Sequence, residues 1–240
     1  MRATSPATST LSRRRDGDPA VKLTYDDFLR FPDDGKRHEL IDGEHYVTPS
    51  PNTRHQRVLG TLHGLIWSHL QTHPLGDVFL APFDVVFSFF DIVEPDLLYL
   101  SHERATIALT PDNVKGVPEL VVEIASKGTR KRDETIKRRL YERAGVSEYW
   151  LVDPVADTIR AYRRDGTRFG RPLERSRRAG DALTGDAMTT LLLPDLALPL
   201  ARIFREQQPP LRRRSAGQVR LKPDTTHTRQ VLSCKRQALS

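Results

Sequence analysis

IVEPDLLYL (Ile92–Leu100) and ELVVEI (Glu119–Ile124) are apolar runs that carry acids where a strand should exclude them. A desolvated carboxylate is costly unless it is paired or bound to a cation, so each acid needs a reason to be there. Both runs have strand length and are rich in valine, leucine and isoleucine. Period-two alternation over Ile92–Leu100 puts Glu94, Asp96 and Leu98 on one face and Val93, Pro95, Leu97 and Tyr99 on the other. In the second run Glu123 is flanked by Val121, Val122 and Ile124, which takes its carboxylate into a largely buried region. If the two strands are neighbours, Asp96 and Glu123 converge.

Outward from this pair the chain alternates helices and strands. Upstream, Thr24 and Asp27 form a capping-box start for a helix over 25–31, which Pro32 stops. Strands over 38–41 and 45–48 flank Asp42-Gly43, a hairpin turn in which glycine accepts positive φ. A long helix follows over 53–73, with an apolar stripe of Val58, Leu59, Leu62, Leu65, Ile66 and Leu70, ended by Pro74. Short strands are predicted over 78–81 and 83–87. Downstream of Glu123, a helix over 131–144 turns Ile136 and Leu140 inward and ends at Gly145, the position of a C-terminal cap. Strands over 148–152 and 158–162 close the series across Asp153-Pro154. The pattern is mixed α/β without an internal repeat.

The chain has 240 residues, 38% hydrophobic and 29% charged, enough for one sizeable core and incompatible with a fully disordered or fibrous protein. Its net charge of +7 invites a nucleic-acid-binding reading, but the charge is unevenly placed. Residues 1–20 sum to +2, residues 21–206 to −2 and residues 207–240 to +7. The body is therefore mildly acidic, and the two polar, proline-bearing ends are expected to be disordered extensions around a domain over 21–206. A basic tail at 207–240 that grips phosphates is the sharper alternative to a solvated one. A single cysteine, Cys234, excludes disulfide scaffolds and cysteine zinc sites within the chain. No apolar run approaches the roughly 18 residues of a membrane span, and 1–20 lacks the apolar core of a secretory signal, so a cytoplasmic protein is expected.

Two carboxylates meeting on adjacent strands suit a hard cation such as Mg²⁺, which takes oxygen ligands and keeps several waters. Such an ion supplies a Lewis acid and a hydroxide for phosphoester hydrolysis. Taken alone, each acid has a plainer use: Asp96 can bond backbone amides at a strand end, and Glu123 can pair with an arginine of the following helix. Asp133, Lys137 and Tyr141 recur at i, i+4 and i+8 on the next helix, where Lys137 can swing over the carboxylates or simply pair with Asp133 at the surface. Glu39 is either a third ligand or an edge acid. His55, on the stripe of the long helix, is more often a packed or capping residue than a ligand, and Asp84 is a further acid in an apolar strand.

The ordered series HELIDGE (38–44), PSPNTRHQ (49–56), VEPDLLYL (93–100), VPELVVEIAS (117–126), then Asp133, Lys137, Tyr141 and GVSEYWLVDP (145–154), resembles the bacterial Uma family of restriction-endonuclease relatives in the PD-(D/E)XK nuclease superfamily. The resemblance runs from about Leu23 to Phe204. It implies a restriction-endonuclease-like α/β fold, with a central mixed sheet flanked by helices and the metal site at the sheet's edge. It also implies that Asp96 and Glu123 bind Mg²⁺, or alternatively Mn²⁺, with Glu39 as an additional ligand, and that metal-activated water hydrolyses a DNA phosphodiester. The superfamily pattern asks for lysine two residues after the acid, where this chain has Ala125. Lys137 resembles a lysine relocated to the next helix and takes that role here, with Lys127 as competitor. The sequence after Ser126 also departs from the family, with Lys127 in place of proline.

A Mg²⁺-dependent DNA endonuclease with catalytic Asp96, Glu123 and Lys137 is thus the leading expectation. A catalytically silent relative with the same fold is the runner-up, and a glycosidase built on paired carboxylates is a third option that requires neither lysine nor metal. The acidic body requires local basic patches for duplex binding, such as Arg130, Lys131, Arg132, Lys137, Arg138 and Arg139. A homodimer is left open, since nucleases that cut both strands often act as symmetric dimers.

Overall fold

The break in the Ile92–Leu100 run organises the molecule. In the computed structural model, which describes residues 21–177 and 187–205, this run is two strands belonging to two different sheets. The single strand expected there is corrected by Pro95, which has no N–H to give a ladder. Glu94-Pro95-Asp96 crosses between the sheets, with the Glu94 N–H donating to Glu39 Oε1 at 3.0 Å and the Asp96 carbonyl accepting from Ala81 N at 3.2 Å.

In chain order the elements are α1 (Tyr25–Phe28), β1 (Arg37–Ile41), β2 (Glu44–Thr48), α2 (Thr53–Thr72), β3 (Gly76–Leu80), β4 (Val85–Ser88), β5 (Asp91–Val93) and β6 (Leu97–Ser101). Then come α3 (His102–Ala108), β7 (Val114–Lys115), β8 (Leu120–Ile124), α4 (Arg130–Arg132), a π-helical turn (Asp133–Lys137) and α5 (Arg138–Ala144). The remainder is β9 (Glu148–Asp153), β10 (Thr158–Asp165), β11 (Arg168–Phe169), β12 (Leu173–Ser176), β13 (Ala187–Thr189), β14 (Ala197–Pro199) and α6 (Leu200–Ile203).

The larger sheet runs β11-β10-β9-β8-β6-β3, with β12 also paired to β10. It is mixed, because β8 and β9 are parallel while β6 pairs antiparallel with β8. A second sheet runs β2-β1-β5-β4-β7, and β13 pairs with β14. β8 is buried along its whole length, as its continuous apolar run requires. One face of the larger sheet, with Leu97, Tyr99, Val122, Ile124 and Trp150, packs on Val58, Leu62 and Ile66 of α2. The other, with Leu98, Val121 and Tyr149, packs on Leu140 and Tyr141 of α5 and on Val85 and Val93 of the second sheet. Both faces of the sheet are covered, which is the α/β arrangement expected.

Local signals explain the supports. The capping box of Thr24 and Asp27 is present, although α1 stops at Phe28. Asp42 and Gly43 both have positive φ, 54° and 75°, the requirement of a tight hairpin turn of this hand. Asn52 caps α2 by accepting from the His55 N–H. Gly145, at φ 100°, ends α5 in the left-handed region. The helix expected over 131–144 contains the π turn, in which Arg138 N–H reaches back to the Asp133 carbonyl. Among the described residues no helix is long and apolar enough to cross a membrane. The expected extensions, 1–20 and 207–240, lie outside the described residues.

Candidate active site

Leu97 pairs with Val122 in antiparallel register, and that register carried one residue further sets Asp96 across from Glu123. The two acids that broke the strand pattern therefore line one cleft of about 200 Å³, together with Lys137, Arg37 and His55. Both are buried, at 3% and 4% exposure, so their charges must be answered within the protein.

Asp96 is answered by three donors. Oδ1 accepts from Arg37 Nη1 at 2.8 Å, while Oδ2 lies 3.0 Å from His55 Nε2 and accepts from the Ile124 N–H at 2.8 Å. Against the cost of burial, His55, Arg37 and the Ile124 amide hold the Asp96 carboxyl down at about 2. The other ring nitrogen of His55, Nδ1, is buried without a hydrogen-bond partner among the described residues.

Glu123 is answered from the helix that follows. Lys137 Nζ donates to Glu123 Oε1 at 2.8 Å, and the Tyr141 hydroxyl donates to the same oxygen at 2.5 Å. Both donors meet Oε1, so they fix the orientation of the carboxylate. The π turn contains Asp133 and Lys137, and both are buried along with Tyr141, in keeping with the recurrence of π turns at functional sites. Burial pushes the Glu123 carboxyl up to about 8; Lys137 opposes the rise, and Asp133, Asp96 and Glu39 add to it.

Glu39 does not line the cleft. Its Oε1 lies 2.6 Å from Lys137 Nζ and also accepts the Glu94 N–H, while Oε2 accepts from Thr48 Oγ1 at 3.3 Å and lies 3.5 Å from Arg132. The structure thus uses Glu39, the acid expected as an additional metal ligand, to hold the lysine. Against burial, Lys137 and Arg132 keep Glu39 below the usual carboxylate range. Against the same cost, Glu123, Glu39 and Asp133 hold Lys137 above the ordinary lysine range. The two acids that share Lys137 are thus shifted in opposite directions, Glu39 down and Glu123 up.

Lys137 is brought to the carboxylates, whereas Lys127 is exposed at the wall of the cleft. His55, weighed as a packing residue, is buried and bonded to Asp96. Asp84 stays outside the cleft, with its carboxyl pushed up to about 6 by burial and Glu39. Arg37 was missed, although alternation from Glu39 along β1 places it on the same face. The six basic residues expected to form one patch do not present one face: Lys137 is fully buried, Arg132 turns inward to Thr48, and Arg130 pairs with Asp153.

Among the described residues no three His, Cys, Asp or Glu side chains converge as a ready-made metal cluster. Three carboxylates line this cleft, Asp96 just before β6, Glu123 on β8 and Asp133 on the π turn, and the first two face each other across neighbouring strands. That facing pair fits Mg²⁺, which usually takes one or two carboxylates and fills the rest of its shell with waters and substrate oxygens. It does not suit a softer ion that selects sulfur.

The family model described as Uma2, "Putative restriction endonuclease", matches residues 25–201. Among solved structures, the chain is similar to "a putative nuclease belonging to DUF820" from Anabaena variabilis, with 20% identity, a TM-score of 0.62, and coverage of 76% of this chain and 97% of that one. At that identity the likeness carries the fold. A comparison with curated proteins gives no match.

Proposed function

We propose that this chain, which belongs to the Uma2 family described as "Putative restriction endonuclease", is a divalent-metal-dependent DNA endonuclease of PD-(D/E)XK type. The observation that carries this reading is the meeting of Asp96 and Glu123 on one cleft with Lys137 Nζ 2.8 Å from Glu123. Asp96 and Glu123 are assigned as the residues that hold the cation, Mg²⁺ or Mn²⁺. When bound, that ion supplies a Lewis acid and lowers the pKa of a coordinated water.

The chain's own groups do the rest. Lys137 carries a fixed positive charge at the cleft wall, suited to charge developing on a phosphate. Glu39 keeps that ammonium in place, and Tyr141 sets the plane of the Glu123 carboxylate. His55 and the Ile124 amide hold Asp96 ionised and aimed at the cleft. Ala125 in place of the usual lysine is compatible with this arrangement, because the ammonium arrives from the helix instead of the strand.

The test is incubation of purified protein with supercoiled plasmid in Mg²⁺, in Mn²⁺ and in chelator. Nicking that requires the metal is expected. No nicking in any condition favours the silent relative, and hydrolysis of an oligosaccharide in the presence of chelator favours the glycosidase.

A further inference from the structure

In the arrangement just described, the one oxygen of Asp96 with an acceptor site to spare already faces a guanidinium, whose charge opposes a cation on the same oxygen. Oδ2 is already bonded to the His55 ring and to a backbone N–H of β8, contacts built into the core of the fold. Among the described residues, Oδ1 is bonded only to Arg37. The Asp96 carboxylate is 4% exposed, whereas the Arg37 side chain is 20% exposed. Arginine does not lose its proton in proteins, so its charge can leave Oδ1 only by movement.

Room for that movement exists. Arg37 lies on the cleft lined by Glu123 and Lys137 and also on a neighbouring cleft of about 450 Å³ lined by Lys36 and Glu94. Its backbone is fixed in register opposite Thr48, which confines the change to the side chain. A guanidinium fork matches phosphate as well as carboxylate, so a phosphodiester in either cleft offers Arg37 an alternative partner of like geometry.

We propose that Arg37 is a gate: it occupies Asp96 Oδ1 as an internal counter-ion in the free protein and is drawn off by a phosphate of the substrate. This rests on the nuclease reading. Its consequence is linkage: substrate tightens cation binding and the cation tightens substrate binding by the same factor. Arg37 is a positioning residue in this scheme, acting on the reaction through Asp96.

The experiment measures Mn²⁺ affinity of the full chain by electron paramagnetic resonance of the free ion, with and without a saturating short phosphorothioate DNA duplex. Wild type is expected to bind Mn²⁺ about tenfold more tightly with the duplex, a typical coupling. Arg37→Met is expected to bind about tenfold more tightly than wild type without DNA and to gain nothing further from the duplex. Arg37→Lys, which keeps the charge and loses the fork, is expected to retain weak coupling, and it carries the test if Arg37→Met does not fold.

Arg132→Met removes a neighbouring charge that does not touch Asp96. Equal tightening in Arg132→Met and Arg37→Met would reduce the effect to the general field and overturn the gate. Wild-type Mn²⁺ affinity and wild-type coupling in Arg37→Met would overturn the gate and leave the nuclease reading standing. Mn²⁺ binding in wild type no stronger than in Asp96→Asn would remove both.

Discussion

Lys137 Nζ lies 2.8 Å from Glu123 Oε1, although the two residues are fourteen positions apart and belong to different elements. The contact depends on the length of the turn after β8 and on the π turn, which contains both Asp133 and Lys137. The same ammonium lies 2.6 Å from Glu39, so one charge ties β1, β8 and the helix together.

Lys137→Met therefore leaves Glu39 and Glu123 without their shared cation. Removing one partner of a buried ion pair costs about 3–5 kcal/mol. Urea unfolding is expected to show a loss in that range, part of which Glu39→Gln in the same chain restores by removing the uncompensated acid. A cost below about 1 kcal/mol would mean that Lys137 is not held as described.

Tyr141→Phe deletes one donor to Glu123 and leaves the ring packing intact. With the Glu123 carboxyl pushed up to about 8, the bond counts as an ordinary buried hydrogen bond, and unfolding experiments near neutral pH are expected to show a loss of about 1 kcal/mol. Because Tyr141 helps to set the carboxylate plane, Mn²⁺ affinity is expected to fall as well. Unchanged Mn²⁺ affinity at matched folding would separate Tyr141 from the site.

Stability should depend on pH with opposite signs at two acids. Burial and the neighbouring Asp84 push the Glu94 carboxyl up to about 7, so between about pH 4.5 and 7 the folded state holds a proton that the unfolded chain releases. Stability then falls as pH rises through this window, and Glu94→Gln should become progressively more stable than wild type across it. Asp96, held at about 2, acts the other way: its contribution is present above the ordinary aspartate value and is lost as pH falls toward 2. Urea midpoints for wild type, Glu94→Gln and Asp96→Asn from pH 3 to 8 read both effects, and parallel curves for all three would contradict them.

Much of this arrangement was legible in the sequence. The Asp42-Gly43 turn, the apolar stripe of α2, the buried acid in β8 and the Gly145 cap each rest on a local rule, and each local rule agrees with the fold. The split between β5 and β6 was not read, although Pro95 signals it, because alternation alone continues smoothly through the proline. The π turn has no composition of its own, and α3 and the short strands β7, β11 and β12 lack enough periodic positions to register. Spacing places Tyr141 on the face of Lys137 and Arg37 on the face of Glu39, but the partners that give them roles, Asp96 59 positions from Arg37 and Glu123 18 from Tyr141, follow only from the fold.

The assignment of Asp96, Glu123 and Lys137 as one reacting centre is tested most directly by plasmid cleavage rates in Mg²⁺ for Asp96→Asn, Glu123→Gln, Lys137→Met and Lys127→Met, each checked for folding. The first three are expected to lose about 100-fold or more, the scale seen when one charge-stabilising group is removed, with Lys127→Met close to wild type. Wild-type cleavage by folded Asp96→Asn or Glu123→Gln would contradict the account.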